Sequence, residues 1–323
     1  MDPRLAAELA ARDGSDGEFV DATYRLVLRR EPDLDSRERS VAKLAEGTLS
    51  RATLIHELAS SDEHRRVREL DDAVALGLGA RSRNERLSWL QAPHADERVI
   101  EVPWVLSRLG TGCVLEVGYA FAERAYLAGL LGAGVELTGV DVAFAEVGGM
   151  ETVQADVRDL PFADRSFDQV LLVSTLEHIG ADNTMYGGAG ERDDSGPLAA
   201  LGELRRILRP TGTLLVTVPL GEPGDHSWFR QDDVRGWKSL YWSAGWFVED
   251  IEAYELGAEG WRAAPSFDPT GVRYGERGPA ASAVLCAELS PGRMRHLLTP
   301  GGMRKTARRG AARTYRRIRP RDL

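Results

Sequence analysis

Gly118 and Asp141 are the residues whose placement first suggests chemistry. Gly118 closes the apolar run Val114-Leu115-Glu116-Val117, and Tyr119-Ala120-Phe121-Ala122 leads on into a helical pattern. That is a strand, a tight turn and a helix start, where the missing side chain lets a ligand reach backbone N–H groups. Asp141 ends a second run, Val135-Glu136-Leu137-Thr138-Gly139-Val140. A glycine turn after one strand and an acid closing the next recognise a nucleotide or nucleoside at the edge of a parallel sheet. Taken singly, Gly118 is equally a plain turn and Asp141 equally a surface acid.

The flanking patterns predict the frame that holds both. Strands are expected at 113–117, 135–140, around 152–154, and at 167–173, 213–219, 247–256 and 281–287. Helices are expected between them at 122–131, 197–208 and 232–244. Strands alternating with helices, then a late strand pair, predict an α/β three-layer sandwich. A helix over 97–109 leads into the first strand, with a kink or restart at Pro103. Further upstream, 17–67 reads as three short helices. Phe19, Val20, Tyr24, Val27 and Leu28 give the first an apolar face, and Ser36 and Ser50 are expected to cap the second and third. The domains expected are a small all-α domain at 1–70, a linker at 71–96, the α/β domain at 97–290 and a basic tail at 291–323.

Composition narrows the class. The 323 residues carry a net charge of −9 with 43% hydrophobic and 28% charged residues, as in a soluble globular protein. No run approaches the ~20 apolar residues of a membrane span. The N-terminus lacks the basic-then-apolar order of a secretory signal. Cys113 and Cys286 sit in separate strand-like runs outside any CxxC or Cys/His cluster, which suits buried free thiols and a cytoplasmic setting. Between Pro291 and Leu323 there are eleven Lys and Arg against one Asp, so the tail is about +10 and the rest about −19. An acidic body does not favour nucleic acid as substrate. The tail is open to two readings, a solvated segment or peripheral contact with an anionic membrane face.

Five stretches in order then carry a resemblance: "VLEVGYAFAE", "LTGVDV", "QADVRDLPFADRSFDQVLLVSTLEHIG", "LGELRRILRPTGTLLVTVP" and the late strand pair. Together, over roughly 97–289, they resemble a class I S-adenosylmethionine-dependent methyltransferase. The resemblance implies a Rossmann-like sandwich with a seven-stranded sheet, parallel except for its last strand, and S-adenosylmethionine as cofactor. It implies that Glu116 and Gly118, with Ala120 beside them, hold the methionine end. Asp141 takes the ribose hydroxyls, Asp156 with the backbone of Val157 reads the adenine edge, and Ser174 and Thr175 lie next to the methionine portion. The family usually shows E-x-G-x-G-x-G, whereas this chain has Ala120 and Ala122 at the later glycines and bulky Tyr119 and Phe121 beside them. The N-terminal segment, with Tyr24, Arg30-Glu31-Pro32-Asp33, Gly47-Thr48-Leu49-Ser50-Arg51 and Ser61-Asp62-Glu63, resembles a bacterial helical domain of unknown function. That domain is often joined to glycosyltransferases and methyltransferases of surface-polysaccharide loci, which implies association with a partner protein rather than chemistry.

The stretch after strand four, "STLEHIG" with a later Tyr-Gly, and "VPLGEPGDHSWFR" after strand five resemble a subgroup from polysaccharide and sugar biosynthesis. The acceptor expected is therefore a sugar or glycan hydroxyl. O-methylation deprotonates the hydroxyl as it attacks, and a histidine near neutral pKa suits that base. His178 and His226 are the candidates, with Glu177 or Asp225 able to orient or substitute. His178 is equally a structural residue, and His226 equally a loop residue without chemistry. Trp228, Phe229 and Trp237 offer a platform for a sugar face or simply core. Asp182, Asp193, Asp194, Glu222 and Asp225 lack tight ligand spacing, so no metal is expected. Two further readings remain: the same cofactor with a natural product or lipid as acceptor, and a non-catalytic cofactor-binding or scaffold protein.

Overall fold

The computed structural model describes residues 9–11, 14–85, 87, 95–187, 190, 192–275 and 280–292. The basic tail beyond Gly292 lies outside the described residues.

The chain begins with helices α1 (Asp16–Val27), α2 (Leu34–Ala45) and α3 (Arg51–Ala59). Ser15 caps α1 through a reciprocal pair with Glu18, and Ser50 accepts from Thr53 N–H at the start of α3. The cap of α2 is Asp33, whose carboxylate accepts from Ser36 N–H, and not Ser36 itself. Leu9, Phe19, Val20, Tyr24, Val27, Leu28, Leu54 and Ile55 form the small core these helices share.

The expected linker is replaced over 71–83 by helix. Residues Asp62–Arg83 form one 22-residue helix, α4, which lies along α5 (Arg98–Arg108). Leu70, Ala73, Gly77 and Ala80 recur at helical spacing and are buried. The small size of Ala73, Gly77 and Ala80 is what allows the close approach. A Cβ at Gly77 would lie 2.7 Å from Pro103 Cα and 2.9 Å from Leu106 Cβ. Arg81 then fastens the far end through Nε to Leu109 O (2.9 Å), Nη2 to Gly110 O (2.7 Å) and Nη1 to Ala133 O (2.8 Å). Helix α5 runs through Pro103 without a break, and Val99 to Leu106 are all buried between α4 and the sheet. Packing on two sides overrides the proline's local cost. Gly77→Ala is expected to destabilise the chain by about 1–3 kcal/mol, since backbone atoms cannot yield to the new methyl group. Urea unfolding reads the sign: on an exposed helix the same change would stabilise by up to ~1 kcal/mol.

The sheet contains β1 (Cys113–Val117), β2 (Glu136–Asp141), β3 (Glu151–Gln154), β4 (Phe167–Val173), β5 (Leu208–Pro219), β8 (Phe247–Gly257), β9 (Gly260–Ala263) and β10 (Ala283–Ser290). A two-residue ribbon separates β5 from β8, made of β6 (Gly224–Asp225) and β7 (Arg230–Gln231). The order is β3-β2-β1-β4-β5-β10-β8-β9, with β1 to β5 parallel and β10 antiparallel to both its neighbours. The sheet thus has eight strands and not seven, because the chain after Gly257 folds back as β9 on the edge of β8. Helices α6 (Arg124–Gly132), α7 (Gly196–Ile207) and α8 (Val234–Ser243) complete a Rossmann-like three-layer arrangement. Leu115, Val170, Leu172, Leu214 and Val216 fill one face of the sheet and Val114, Leu171, Leu215 and Cys286 the other.

The order in which strands are added reverses between the parallel neighbours β1 and β4: β1 leads outward to β2 and β3, and β4 leads the other way to β5. A crevice at the carboxyl ends of the strands is expected there. Register places Val117 opposite Val140 and Leu172, and Asp141 opposite Gln154. The residues that follow these strand ends therefore gather around one opening.

Candidate functional site

The crevice is a cavity lined by Arg98, Val102, Glu116, Gly118, Phe121, Glu123, Tyr126, Asp141, Asp156, Val157, Ser174, Thr175, His178, Asn183 and Tyr186, among others. It brings together the expected Glu116, Gly118, Asp141, Asp156, Val157, Ser174, Thr175 and His178. Three expected residues do not line it: Ala120, Glu177 and His226.

Gly118 has φ +93°, its N–H donates to Val140 O at 2.9 Å, and a Cβ there would meet Thr175 Oγ1 at 2.5 Å. Both the left-handed backbone and the contact require glycine. Gly118→Ala is expected to cost about 1–3 kcal/mol from backbone strain alone. A thermal melt unchanged by the substitution would contradict that geometry.

After Gly118 the chain makes a 3₁₀ turn, Tyr119–Phe121, before α6 begins. Three residues per turn send neighbouring side chains in different directions. Tyr119 is buried on the far side, where a Cβ at Gly139 would lie 2.7 Å from its ring. The bulk at position 119 thus occupies space that glycine leaves open in β2. Phe121 points the other way and stands exposed at the cavity, edge-on to Tyr186 with ring centroids 5.2 Å apart. Ala120 and Ala122 lie outside the positive-φ region, so alanine carries no backbone strain there. Ala120 serves the site through its N–H, which donates to Asp141 Oδ2 at 3.0 Å.

Asp141 Oδ1 accepts from Ala143 N–H, also at 3.0 Å, so two backbone donors fix the carboxylate at the strand end. Burial pushes its pKa up, against the pull of those donors. Each oxygen keeps a further acceptor position. Asp156 is held by Arg158, whose Nε lies 3.0 Å from Oδ1 and Nη2 2.6 Å from Oδ2, and this guanidinium lowers its pKa. Arg158 Nη1 continues to Asp193 at 2.9 Å. The adjoining Val157 N–H donates to no acceptor among the described residues. Glu116 is buried beneath the opposite end and accepts from Tyr126 Oη–H at 2.8 Å. Burial pushes its carboxyl up to about 8.

At the end of β4, Thr175 Oγ–H donates to Val173 O (2.9 Å) and Val117 O (3.2 Å), tying the two strand ends together. Leu176–His178 form a second 3₁₀ turn, and again adjacent side chains part. Glu177 turns inward rather than to the cavity mouth. It is 3% exposed, and Oε2 has no hydrogen-bond partner among the described residues. Burial pushes its carboxyl up to about 8. His178 faces the cavity. Its Nδ1 is 2.9 Å from Trp228 O, and since a carbonyl only accepts, Nδ1 carries the hydrogen and Nε2 the lone pair. Burial lowers its pKa to about 4, so the ring is neutral at pH 7. Glu177 Oε1 is 3.9 Å from Nε2, beyond hydrogen-bond reach.

His178 stacks on Trp228 with centroids 5.2 Å apart and meets the edge of Tyr186 at 5.2 Å. Phe229 lies behind it at 6.0 Å. His226 is displaced by this arrangement. The β6–β7 ribbon lays its ring flat on Phe229, 4.4 Å away, and neither ring lines the cavity. Trp237 is core, 1% exposed, with Nε1–H donating to Pro219 O. The acids considered for a metal are engaged locally: Asp182 with Thr184, Asp193 with Ser195 and Arg158, Asp194 and Asp225 with Arg192, Glu222 with Arg273. Arg98, Tyr126 and Tyr186 are cavity residues that sequence reasoning missed. The spacing of Arg98 and Glu101, three apart on a helix, was the available signal.

The donor set suits S-adenosylmethionine. Asp141 offers two fixed acceptors to a vicinal diol, Val157 N–H and Asp156 lie one strand over for a base, and the Arg98 guanidinium and the Glu116 carboxyl line the far end, where an amino-acid arm would lie.

Comparisons with known proteins agree in part of the chain. Residues 115–216 match the model of a methyltransferase domain family, and residues 4–67 match the model of a domain of unknown function. No curated protein matches the sequence. Among solved structures, a Thermotoga maritima S-adenosylmethionine-dependent methyltransferase aligns with 19% identity and TM-score 0.40, over 59% of this chain and 87% of its own. A Burkholderia thailandensis 1,6-didemethyltoxoflavin-N1-methyltransferase, with its substrate and S-adenosylhomocysteine bound, aligns with 16% identity and TM-score 0.41, over 87% and 92%. A Methanosarcina mazei S-adenosylmethionine-dependent methyltransferase aligns with 12% identity and TM-score 0.39, over 55% and 91%.

Proposed function

We propose that this chain, whose residues 115–216 match a methyltransferase domain, uses S-adenosylmethionine to methylate a hydroxyl of a sugar or glycan. The observation that carries this reading is His178. It lines the cavity together with Tyr186, its Nδ1 is held by Trp228 O so that Nε2 keeps a lone pair, and the rings of Tyr186, Trp228 and Phe229 pack against it. Aromatic faces bind the apolar C–H faces of a pyranose while leaving its hydroxyls to polar partners. When bound, S-adenosylmethionine supplies a methyl group on a positively charged sulfur and departs as S-adenosylhomocysteine. His178 Nε2 accepts the hydroxyl proton as the oxygen attacks, and Trp228 O keeps Nδ1–H, and with it the tautomer, in place. Neutral at pH 7, the ring is ready to accept, but a pKa of about 4 makes it a weak base. Holding the hydroxyl in line with the methyl group then carries much of the rate.

A second reading rests on Phe121, which lines the cavity and is 58% exposed. Such an exposed apolar ring suits a lipid-linked glycan, or a lipid or natural product without sugar. One experiment separates these. The chain is incubated with S-adenosylmethionine and, in turn, nucleotide sugars, lipid-linked glycans and non-sugar lipids, and products heavier by one methyl group are sought by mass spectrometry. Methylation on a sugar oxygen is expected. Turnover confined to acceptors without a sugar would overturn the first reading.

A further inference from the structure

Glu101 is fully buried on α5, 0% exposed, and both its oxygens are committed. Oε2 lies 2.5 Å from Arg98 Nη1, and Oε1 accepts from Ser174 Oγ–H at 2.9 Å. Both partners line the cavity. Arg98 begins α5, and its guanidinium has no other side-chain hydrogen bond among the described residues. Ser174 ends β4 with φ +43°, a left-handed backbone unusual for a residue other than glycine. Its N–H donates to Thr217 O and Oγ1, both at 3.1 Å. A buried carboxylate that reaches neither ligand nor solvent costs free energy unless its partners repay it. Here it holds a cation and a strained backbone at fixed positions on the cavity wall.

We propose that Glu101 is a positioning residue for the cofactor: it holds Arg98 with free N–H groups toward the cavity, where they take the carboxylate of the cofactor's amino-acid arm, and it locks Ser174 beside that arm. The arm is zwitterionic, so it needs a cation and an acid. Arg98 supplies the first, and Glu116 and Glu123 line the same cavity. Without Glu101 the guanidinium is free to swing to the neighbouring Glu97 or Asp96, both of which act on it electrostatically. The inference rests on S-adenosylmethionine as cofactor and is independent of the acceptor.

The test compares S-adenosylhomocysteine with 5′-methylthioadenosine, which keeps the nucleoside and thioether but lacks the amino-acid arm. Dissociation constants are measured for wild type, Arg98→Met, Glu101→Gln, Ser174→Gly and the Arg98→Met/Glu101→Gln double variant. A charged hydrogen bond supports a loss of roughly ten- to a hundredfold for S-adenosylhomocysteine in Arg98→Met and Glu101→Gln. The double variant should be no weaker than Arg98→Met, and 5′-methylthioadenosine should bind all of them within about twofold of wild type. Equal losses for both ligands, or additive losses in the double variant, would overturn the proposal in favour of a general packing role. Should Glu101→Gln not fold, Ser174→Gly carries the test, because glycine suits the left-handed backbone and the change removes the hydroxymethyl group that meets Glu101. A loss confined to S-adenosylhomocysteine supports the proposal, and no change overturns it. If wild type binds neither ligand, it is the cofactor assignment that fails.

Discussion

Asp141→Ala is expected to weaken S-adenosylhomocysteine binding by roughly a hundredfold or more while leaving the chain folded. The carboxylate lies at the strand end with one oxygen on Ala120 N–H and the other on Ala143 N–H. Hydrogen bonds to a charged group are worth about 1.5–3 kcal/mol each. Losing the two that a ribose diol would make therefore removes about 3 kcal/mol or more, about two decades in Kd. The backbone adds to this. Ala120 N–H and Ala143 N–H lose their common acceptor, so the turns after β1 and β2 lose the tie that sets their spacing. Asp141→Asn should be less severe: its amide oxygen keeps one backbone donor, but its NH2 group faces the other. Equilibrium dialysis with labelled cofactor reads the effect, and unchanged binding in a folded Asp141→Ala variant would remove this residue from the site.

The second large effect is on turnover. With an acceptor in hand, His178→Ala is expected to lower kcat by about 10²–10⁴, the range for a positioned general base. Cofactor affinity should change far less, because the ring's fixed partners are Trp228 and Tyr186. His226→Ala should leave kcat within about twofold, since its ring stacks on Phe229 and does not line the cavity. Acidity provides a further check. Burial holds the His178 pKa at about 4, below its ordinary 6.5, so the basic form is complete at neutral pH. The rate should thus be flat on the acid side of neutrality and fall as pH drops through about 4, not through 6.5. A rate that falls between pH 7 and 6, or a His178→Ala variant at full speed, would assign the proton to another group.

Strand ends were the most legible part of the sequence. Gly118 and Asp141 stand out because an apolar run gives way to one residue of a special type, and Asp156, Ser174 and His178 follow at further strand ends. What stayed hidden depends on directions that a linear pattern does not contain. In Leu176-Glu177-His178 the acid and the histidine look like partners, yet a 3₁₀ turn sends one into the protein and the other into the cavity. Tyr119 and Phe121 part in the same way, so the bulky residues near the glycine turn neither block it nor behave alike. His226 and Phe229 are read in the right neighbourhood and the wrong order of depth, because the two-residue ribbon decides which ring lies in front. Helix α4 reads in the sequence only as a linker with a short helix, and its 22-residue length stays hidden for a different reason. Its buried stripe is Ala and Gly after Leu70, which carries little hydrophobic signal although it permits the tightest helix contact. Arg98 and Glu101 look like an ordinary surface pair, yet the acid is fully buried against Ser174 at the end of β4.

Hydrogen–deuterium exchange with and without S-adenosylhomocysteine tests the assignment of the cavity most directly. Four stretches should slow on binding: 118–123, 141–143, 155–158 and 174–180. All four follow adjacent parallel strands and share residues of the cavity wall. Protection should leave the ribbon around His226 and the helices α1 to α3 unchanged. Protection centred elsewhere, or none at saturating ligand, would contradict the account.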